Sequence, residues 1–392
     1  ASIGQLFQVK RVRVGGFFFS CLFALFYIYV GYPLLALIVA GISRKKVKKS
    51  PCSPDISILI AAYNEEKHVG ATIENKLQLD YPRDKVEIIV ISDASEDATD
   101  DIIRSYADRG VRYIRQEPRK GKTAALNLAV AQASGEILVF SDANSMWDKD
   151  CLRYLVENFA DPSVGYVTGK MVYVNPDGST IGSGCSAYMR YENLLRGIET
   201  LIGSIVGVDG GVDAVRKSLY CEMSPDQLPD FVLPLKVVEQ GYRVVYEPRA
   251  LLKEDALRSP EDENRMRVRV SLRALWALFE MRGLLNPLKH GVFSFQLFSH
   301  KVLRYLGIVF VVLLYASNLF LLKKALIYKI FFMLQSVVMV SAMAGHWMEK
   351  NGRPSGILFV PYYFFLINIA AGQALMRFLK GEKQVTWTPR KG

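Results

Sequence analysis

Four long apolar runs constrain this chain more than any other feature. Residues 17–43 contain no charge, and the runs 302–322, 325–345 and 357–379 follow a polar middle. A helix needs about 20 apolar residues to cross a bilayer core. Buried helices of soluble proteins rarely stay apolar for so long. The first run is too long for a cleaved signal peptide and lacks the usual small-residue cleavage site. An integral protein of a plasma or inner membrane is expected. Its 392 residues leave room for one sizeable domain between the spans.

The charge is distributed to match. The net charge is +11, yet residues 1–54 hold eight Lys or Arg and no acid, and residues 377–392 hold five basic residues against Glu382. The body between them is close to neutral, which argues against nucleic acid as a partner. Basic ends suit a lipid bilayer, whose anionic headgroups attract cations. The five cysteines (Cys21, Cys52, Cys151, Cys185, Cys221) form no C-x-x-C pair, and the four histidines are scattered. Neither a disulfide framework nor a zinc site is suggested. Free thiols fit a reducing cytosol.

Arg44, Lys45, Lys46, Lys48 and Lys49 follow the first run directly. The positive-inside rule puts that flank, and the polar body with it, in the cytosol. The expected divisions are a basic segment 1–16, a transmembrane helix 17–43, a basic linker 44–54, a cytosolic domain 55–283, an interfacial segment 284–301, a three-helix transmembrane region 302–379 and a basic tail 380–392. One span before the body and three after it would put the tail outside. Its Arg377, Lys380, Lys383, Arg390 and Lys391 argue for the inside. Lys323 and Lys324, between the second and third runs, would also lie outside in that arrangement. Sequence alone leaves this conflict open.

Within the body, residues 56–62 and 86–92 are continuous apolar runs of strand length, and 111–115 and 137–141 are shorter ones. Helical stretches near 68–79, 97–109 and 123–133 separate them. Continuous β-branched strands alternating with helices indicate an α/β fold with a parallel, doubly wound sheet. Such sheets bind ligands at the carboxyl ends of their strands. Polar residues cluster there: AAYNEE (61–66), SDASEDATD (92–100) and SDANS (141–145). Asp97 and Asp100 suit helix caps. Asp93 and Asp142 stand at strand ends, where uncompensated carboxylates call for a cation or a hydroxyl-rich ligand.

In this order and spacing, AAYNEE, ISDASEDATD, GKTAALN (121–127) and FSDANS resemble the family 2 glycosyltransferases, through residues 55–270. The apolar helices around them resemble the polysaccharide-synthase branch, with its cellulose, chitin, hyaluronan and poly-N-acetylglucosamine synthases. The resemblance implies a GT-A-type, Rossmann-like domain. It implies that Tyr63 and Glu65 cradle the uracil and ribose of a UDP-sugar, that Asp93 contacts the base, and that Lys122 meets nucleotide or phosphate. Asp142 and Asn144 match the D-x-D pair that holds ribose and a divalent ion, Mg2+ or Mn2+. The amide of Asn144 brings no charge, so weaker metal binding is expected and the diphosphate must contribute more.

Asp230 matches the second acid of a pair that ends in the catalytic base, with Pro229 in place of the first. A single base that takes the acceptor proton during direct displacement implies inversion at the anomeric carbon. Asp230 also suits a helix cap. GVDGGVDAVR (207–216) resembles the loop that meets the acceptor, with Asp209 and Asp213 as contacts for sugar hydroxyls. Its three glycines equally suit a plain turn. ENRMRVRVSLR (263–273) stands where the processive synthases have Q-x-x-R-W, without the Gln or Trp. Arg265 and Arg267 are the best matches to the arginine that holds the diphosphate. Arg265, Arg269 and Arg273, spaced by four, also suit a basic helix lying on headgroups.

The resulting expectation is inverting transfer of a hexose or N-acetylhexosamine from a UDP-sugar to a growing polysaccharide at the cytosolic face, with export as an extension. So few spans make a modest channel, which leaves a homo-oligomer or an export partner to complete it. A non-processive transferase with a lipid-linked acceptor stays open. So do a nucleotide-binding module of a membrane transport system and a catalytically silent binding module.

Overall fold

The computed structural model describes residues 3–174, 179–256, 259–353 and 356–385. Eight strands form one sheet: β1 (Ile56–Ala62), β2 (Val86–Asp93), β3 (Val111–Gln116), β4 (Ile137–Asp142), β5 (Met146–Trp147), β6 (Val164–Val174), β7 (Asp213–Arg216) and β8 (Arg243–Asp255). Their order is β3-β2-β1-β4-β7-β6-β8-β5. β1 pairs in parallel with both β2 and β4, and β2 with β3. β7 enters antiparallel between β4 and β6.

This topology follows from the residues. All seven side chains of β1 are buried, so its alternation of polarity disappears, as expected when both faces of a sheet are covered. Ile56, Ile58 and Ile60 join one core, and Leu59 and Ala61 join the core on the opposite face. The chain runs outward from β1 to β2 and β3, then returns to place β4 on the other side of β1. That reversal opens a crevice at the carboxyl ends of β1 and β4. The helix Lys122–Gln132 closes one side of it.

Among the described residues, three helices are long and apolar enough to cross a membrane: Val14–Ser43, Leu326–Lys350 and Gly356–Leu379. The second apolar run is not a simple span. The segments Val292–Tyr305 and Gly307–Leu321 form a pair bent by 58°. The residues 284–301 expected as an interfacial segment supply most of its first limb. The cause is chemical: His300, Lys301 and Arg304 lie on that limb and reach Glu192 and Glu199 of the helix Thr180–Ile202. Satisfying them turns the limb toward the α/β body.

The last apolar helix and the tail lie beside the body. Tyr363 Oη donates to Glu263 Oε1 at 2.6 Å, and Asn264 Nδ2 donates to Gln373 Oε1 at 3.1 Å. Val268 and Leu272 pack on Ala370 and Ala374. Trp276 meets Phe378 edge to face at 4.7 Å. Beyond it, Trp276 Nε1 donates to the Glu382 carbonyl, and Lys383 reaches Asp226 at 2.5 Å and Glu280 at 3.4 Å. The helix Phe359–Leu379 thus runs alongside the helix Pro260–Glu280, and Glu382 and Lys383 beyond it lie against the body. Arg390 and Lys391 lie outside the described residues.

Candidate active site

The loops after β1 and β2 are tied together. Asn64 takes the left-handed backbone at φ 52°, which Asn tolerates better than most residues. Its side chain accepts from the Glu96 amide, and the Glu65 amide donates to Thr99 Oγ1 at 2.8 Å. The Arg119 guanidinium lies 3.4 Å over the Tyr63 ring.

Asp93, expected to contact the base, is fully buried, and both of its carboxylate oxygens accept hydrogen bonds from the chain. Oδ1 accepts from Gln116 Nε2 and from the Lys120 amide, and Oδ2 from the Gly121 amide. Asp93 therefore holds the turn from which Lys122 extends. Neither Asp93 nor Tyr63 lines the main cavity.

That cavity, of about 350 Å3, lies between the sheet, the helix Pro260–Glu280 and the apolar helices. Glu65, Lys122, Asp142, Asn144, Asp230 and Arg267 all face it. Lys122 Nζ is 2.6 Å from Asp142 Oδ1 and 3.5 Å from Asp230 Oδ1. One ammonium thus joins the end of β4 to the first turn of the helix Pro229–Glu239. Burial pulls the Lys122 pKa down, but Asp142 and Asp230 outweigh it and hold the ammonium above its ordinary range.

Gly210 makes room for this junction. It sits at φ 86°, and a Cβ there would overlap the Asp230 carboxyl group. Its amide donates to Asp213 Oδ2 at 2.8 Å. Burial pushes the Asp213 carboxyl up to about 7, against hydrogen bonding from Thr168. Asp213 lies against a small second pocket beside Asp230 and not along the main cavity. Asp209 does face the cavity, paired with Arg196 at 2.6 Å.

The arginines divide differently from the sequence expectation. Arg265 is exposed, paired with Asp262, and does not line the cavity. Each four-residue step turns a helix by about 40°, so the row 265, 269, 273 drifts and only its later members point inward. Arg269 and Arg273 line the cavity. Arg273 is occupied by the carbonyls of Pro225, Asp226 and Gln227, and burial lowers its pKa to about 10. Arg267 lies on the cavity wall, held by Glu263 at 2.8 Å and by Tyr363 Oη at 2.9 Å.

The structure adds residues that no motif singled out. Glu192, Arg196, His300, Lys301 and Arg304 wall the inner end of the cavity, with Tyr29 and Asn368. Burial pushes the Glu192 carboxyl up, but Arg304, Lys301 and His300 hold it well below the usual range. The available signal was Arg304, an arginine inside an otherwise apolar run.

A divalent ion would find the Asp142 carboxylate and the Asn144 amide here. Among the described residues, no group of three or more His, Cys, Asp or Glu gathers as a metal cage. The donor set fits an ion held by one carboxylate plus substrate phosphates and waters, which is how Mg2+ is commonly bound.

Comparison with known proteins agrees with this geometry. Residues 57–209 match the family Glycosyl transferase family 2. The poly-beta-1,6-N-acetyl-D-glucosamine synthase of Staphylococcus aureus (strain COL) is 30% identical over 202 residues, which cover 50% of this chain and 48% of that protein. The synthase of the same description from Staphylococcus epidermidis is 31% identical over 202 residues, again 50% and 48% of the two chains. The chain thus spans about half the length of the curated relatives it matches. A mannosyltransferase of Pyrobaculum calidifontis, solved with GDP-Man and Mn2+, superposes over 93% of this chain and 99% of its own with a TM-score of 0.71. At 21% identity, that likeness establishes the shared fold. The eight-stranded sheet is GT-A-like, and residues 57–209 are similar to the glycosyl transferase family 2.

Proposed function

We propose that the protein is an inverting glycosyltransferase that moves a hexose or N-acetylhexosamine from a UDP-sugar to an acceptor hydroxyl at the membrane surface. The observation that carries this is Lys122, which bridges a strand-end acid, Asp142, and a helix-end acid, Asp230, at the crevice of a family 2 domain. Asp142 and Asn144 face the donor and would be the residues to hold a Mg2+ or Mn2+ ion. When bound, that ion would offset charge on the departing diphosphate. Lys122 meets the same charge from the protein side. Asp230 takes the proton of the acceptor hydroxyl as its oxygen bonds to the anomeric carbon and the bond to phosphate breaks. Attack opposite the leaving group inverts the centre.

The polysaccharide synthases among the relatives support a growing polysaccharide as acceptor. One observation favours a lipid-linked acceptor instead: Lys301 and Arg304, cations on the bent apolar pair, line the cavity together with Tyr29 of the first apolar helix. The decisive experiment is nucleotide release by the purified protein in detergent, across UDP- and GDP-sugars with Mg2+ or Mn2+. Release from one UDP-sugar is expected. Release from GDP-mannose alone would overturn the UDP assignment, and silence across the panel in the presence of native lipid extract would remove the transferase reading.

We also infer three crossings rather than four. Phe18 packs with Leu314, Leu321 and Tyr328, so the far end of the first span meets the turn between the bent pair and the helix Leu326–Lys350. His346, near the end of that helix, approaches Tyr362, whose neighbour Tyr363 binds Glu263 of the body. The helix Phe359–Leu379 then lies along the body as an interfacial element. Body and tail share one face, the cytosolic one, which accounts for the basic tail. In sealed vesicles with the body outward, cysteines placed at Lys380 and Asp108 are expected to react alike with an impermeant maleimide, and one at Lys323 to be protected. Protection at Lys380 would restore a fourth crossing.

A further inference from the structure

We propose that the inner end of the cavity binds the phosphate of a membrane-anchored acceptor, an amphiphile with a phosphate ester beside the sugar that receives the transfer. This rests on reading the Lys122–Asp142–Asp230 centre as a site of glycosyl transfer.

The arrangement of charges supports it. Lys301 and Arg304 both face the single carboxylate of Glu192, with Arg304 the closer of the two. The neighbouring acids are committed elsewhere. Glu199 accepts from Tyr32 Oη at 2.5 Å and pairs with His300 at 2.8 Å, Asp209 is held by Arg196, and Glu263 by Arg267. That leaves Lys301 with no carboxylate closer than 3.7 Å among the described residues. Lys301 Nζ stands 3.7 Å from Glu192, beyond hydrogen-bonding distance, and it lines the cavity. An ammonium with three donors in such a place favours an anionic acceptor of hydrogen bonds.

Position supplies the anchor. Lys301 and Arg304 lie on the bent apolar pair, and Tyr29 on the first apolar helix forms part of the same wall. Ionisable groups on such helices are costly and mark substrate pathways. The same cavity contains Asp230 and Lys122, so a ligand held at the inner end shares a chamber with the reaction centre. Gly207 packs against Lys301, and Gly210 against Asp230. Three residues of chain span at most about 10 Å, so the phosphate site and the base lie close enough for one short glycosyl unit to reach both.

The full chain in nonionic detergent is titrated with farnesyl phosphate, farnesol, inorganic phosphate and UDP. The parent is expected to bind farnesyl phosphate more tightly than either farnesol or inorganic phosphate. Lys301→Gln is expected to weaken farnesyl phosphate by about tenfold or more, the worth of a charge-assisted hydrogen bond, and to leave UDP affinity unchanged. Glu192 keeps Arg304 in that variant, so no buried charge is orphaned. Gly207→Ala gives an independent check: its Cβ would lie 2.7 Å from Lys301 Nζ, displacing the ammonium while keeping every charge. The same loss of farnesyl phosphate binding is expected. Equal farnesyl phosphate affinity in parent and both variants would reduce the cluster to an internal ion-pair network. Lost UDP affinity would reassign it to the donor diphosphate, and inorganic phosphate binding as tightly as farnesyl phosphate would make it a free-anion site. Failure of the transferase reading would instead appear as silence in the nucleotide-release panel, whatever these affinities are.

Discussion

An Asp230→Asn variant is expected to lose sugar transfer by about 10^2- to 10^4-fold while binding donor nucleotide as the parent does. General-base catalysis contributes rate factors of that size. The substitution keeps the shape and hydrogen-bonding capacity of the side chain but removes the negative charge and the proton-accepting oxygen. Lys122 would keep its closer partner, Asp142 at 2.6 Å, so the donor side of the crevice should stay assembled. Helix start and backbone should also survive, because Pro229 rather than Asp230 fixes the first helical position. The check is a transfer assay paired with nucleotide titration on the same preparation. Turnover within a few fold of the parent would remove Asp230 as the base. Its place as an acid in the first turn of the helix, where negative charge suits the helix dipole, would then be its whole role.

Removing Lys122 should act on the other half of the reaction. In Lys122→Met the stem volume is largely kept, but Asp142 and Asp230 face each other without the cation that now lies within 3.5 Å of both. Two carboxylates in one partly buried site disfavour each other's charge, and the donor diphosphate loses a positive partner. Hydrogen bonds to charged groups contribute about 1.5–3 kcal/mol, so donor binding should weaken by about 10- to 100-fold, with turnover falling as well. The two variants are therefore distinguishable: Asp230→Asn should affect the rate with donor affinity intact, and Lys122→Met should affect both. Unchanged nucleotide affinity in Lys122→Met would confine the lysine to a structural bridge.

Much of the domain was legible beforehand because its signals are local. The parallel strands announce themselves as uninterrupted β-branched runs, and each ends in the polar segment that the crevice displays. The site was legible in composition but not in division of labour. Asp93 sits at a strand end like Asp142, yet it is fully buried, with its carboxylate spent on the Lys120–Gly121 turn. Arg265 belongs to the same four-residue row as Arg273, yet it faces away from the cavity. Such differences arise from how far a helix or loop rotates in packing, which spacing alone does not encode.

The amino-acid sequence determined the apolar runs, the α/β alternation and the identity of the acids at the strand ends. These depend on side-chain polarity at short range, where each residue's preference and its neighbours' add in one direction. The tertiary structure alone decided that Lys122 bridges Asp142 and Asp230, that the second apolar run bends toward Glu192, and that the last apolar helix lies along the body with the tail. Each of these is set by pairing between charges or polar groups far apart in the chain. In a low-dielectric interior an unpaired charge is costly, so partners brought close by the fold override what the local pattern prefers.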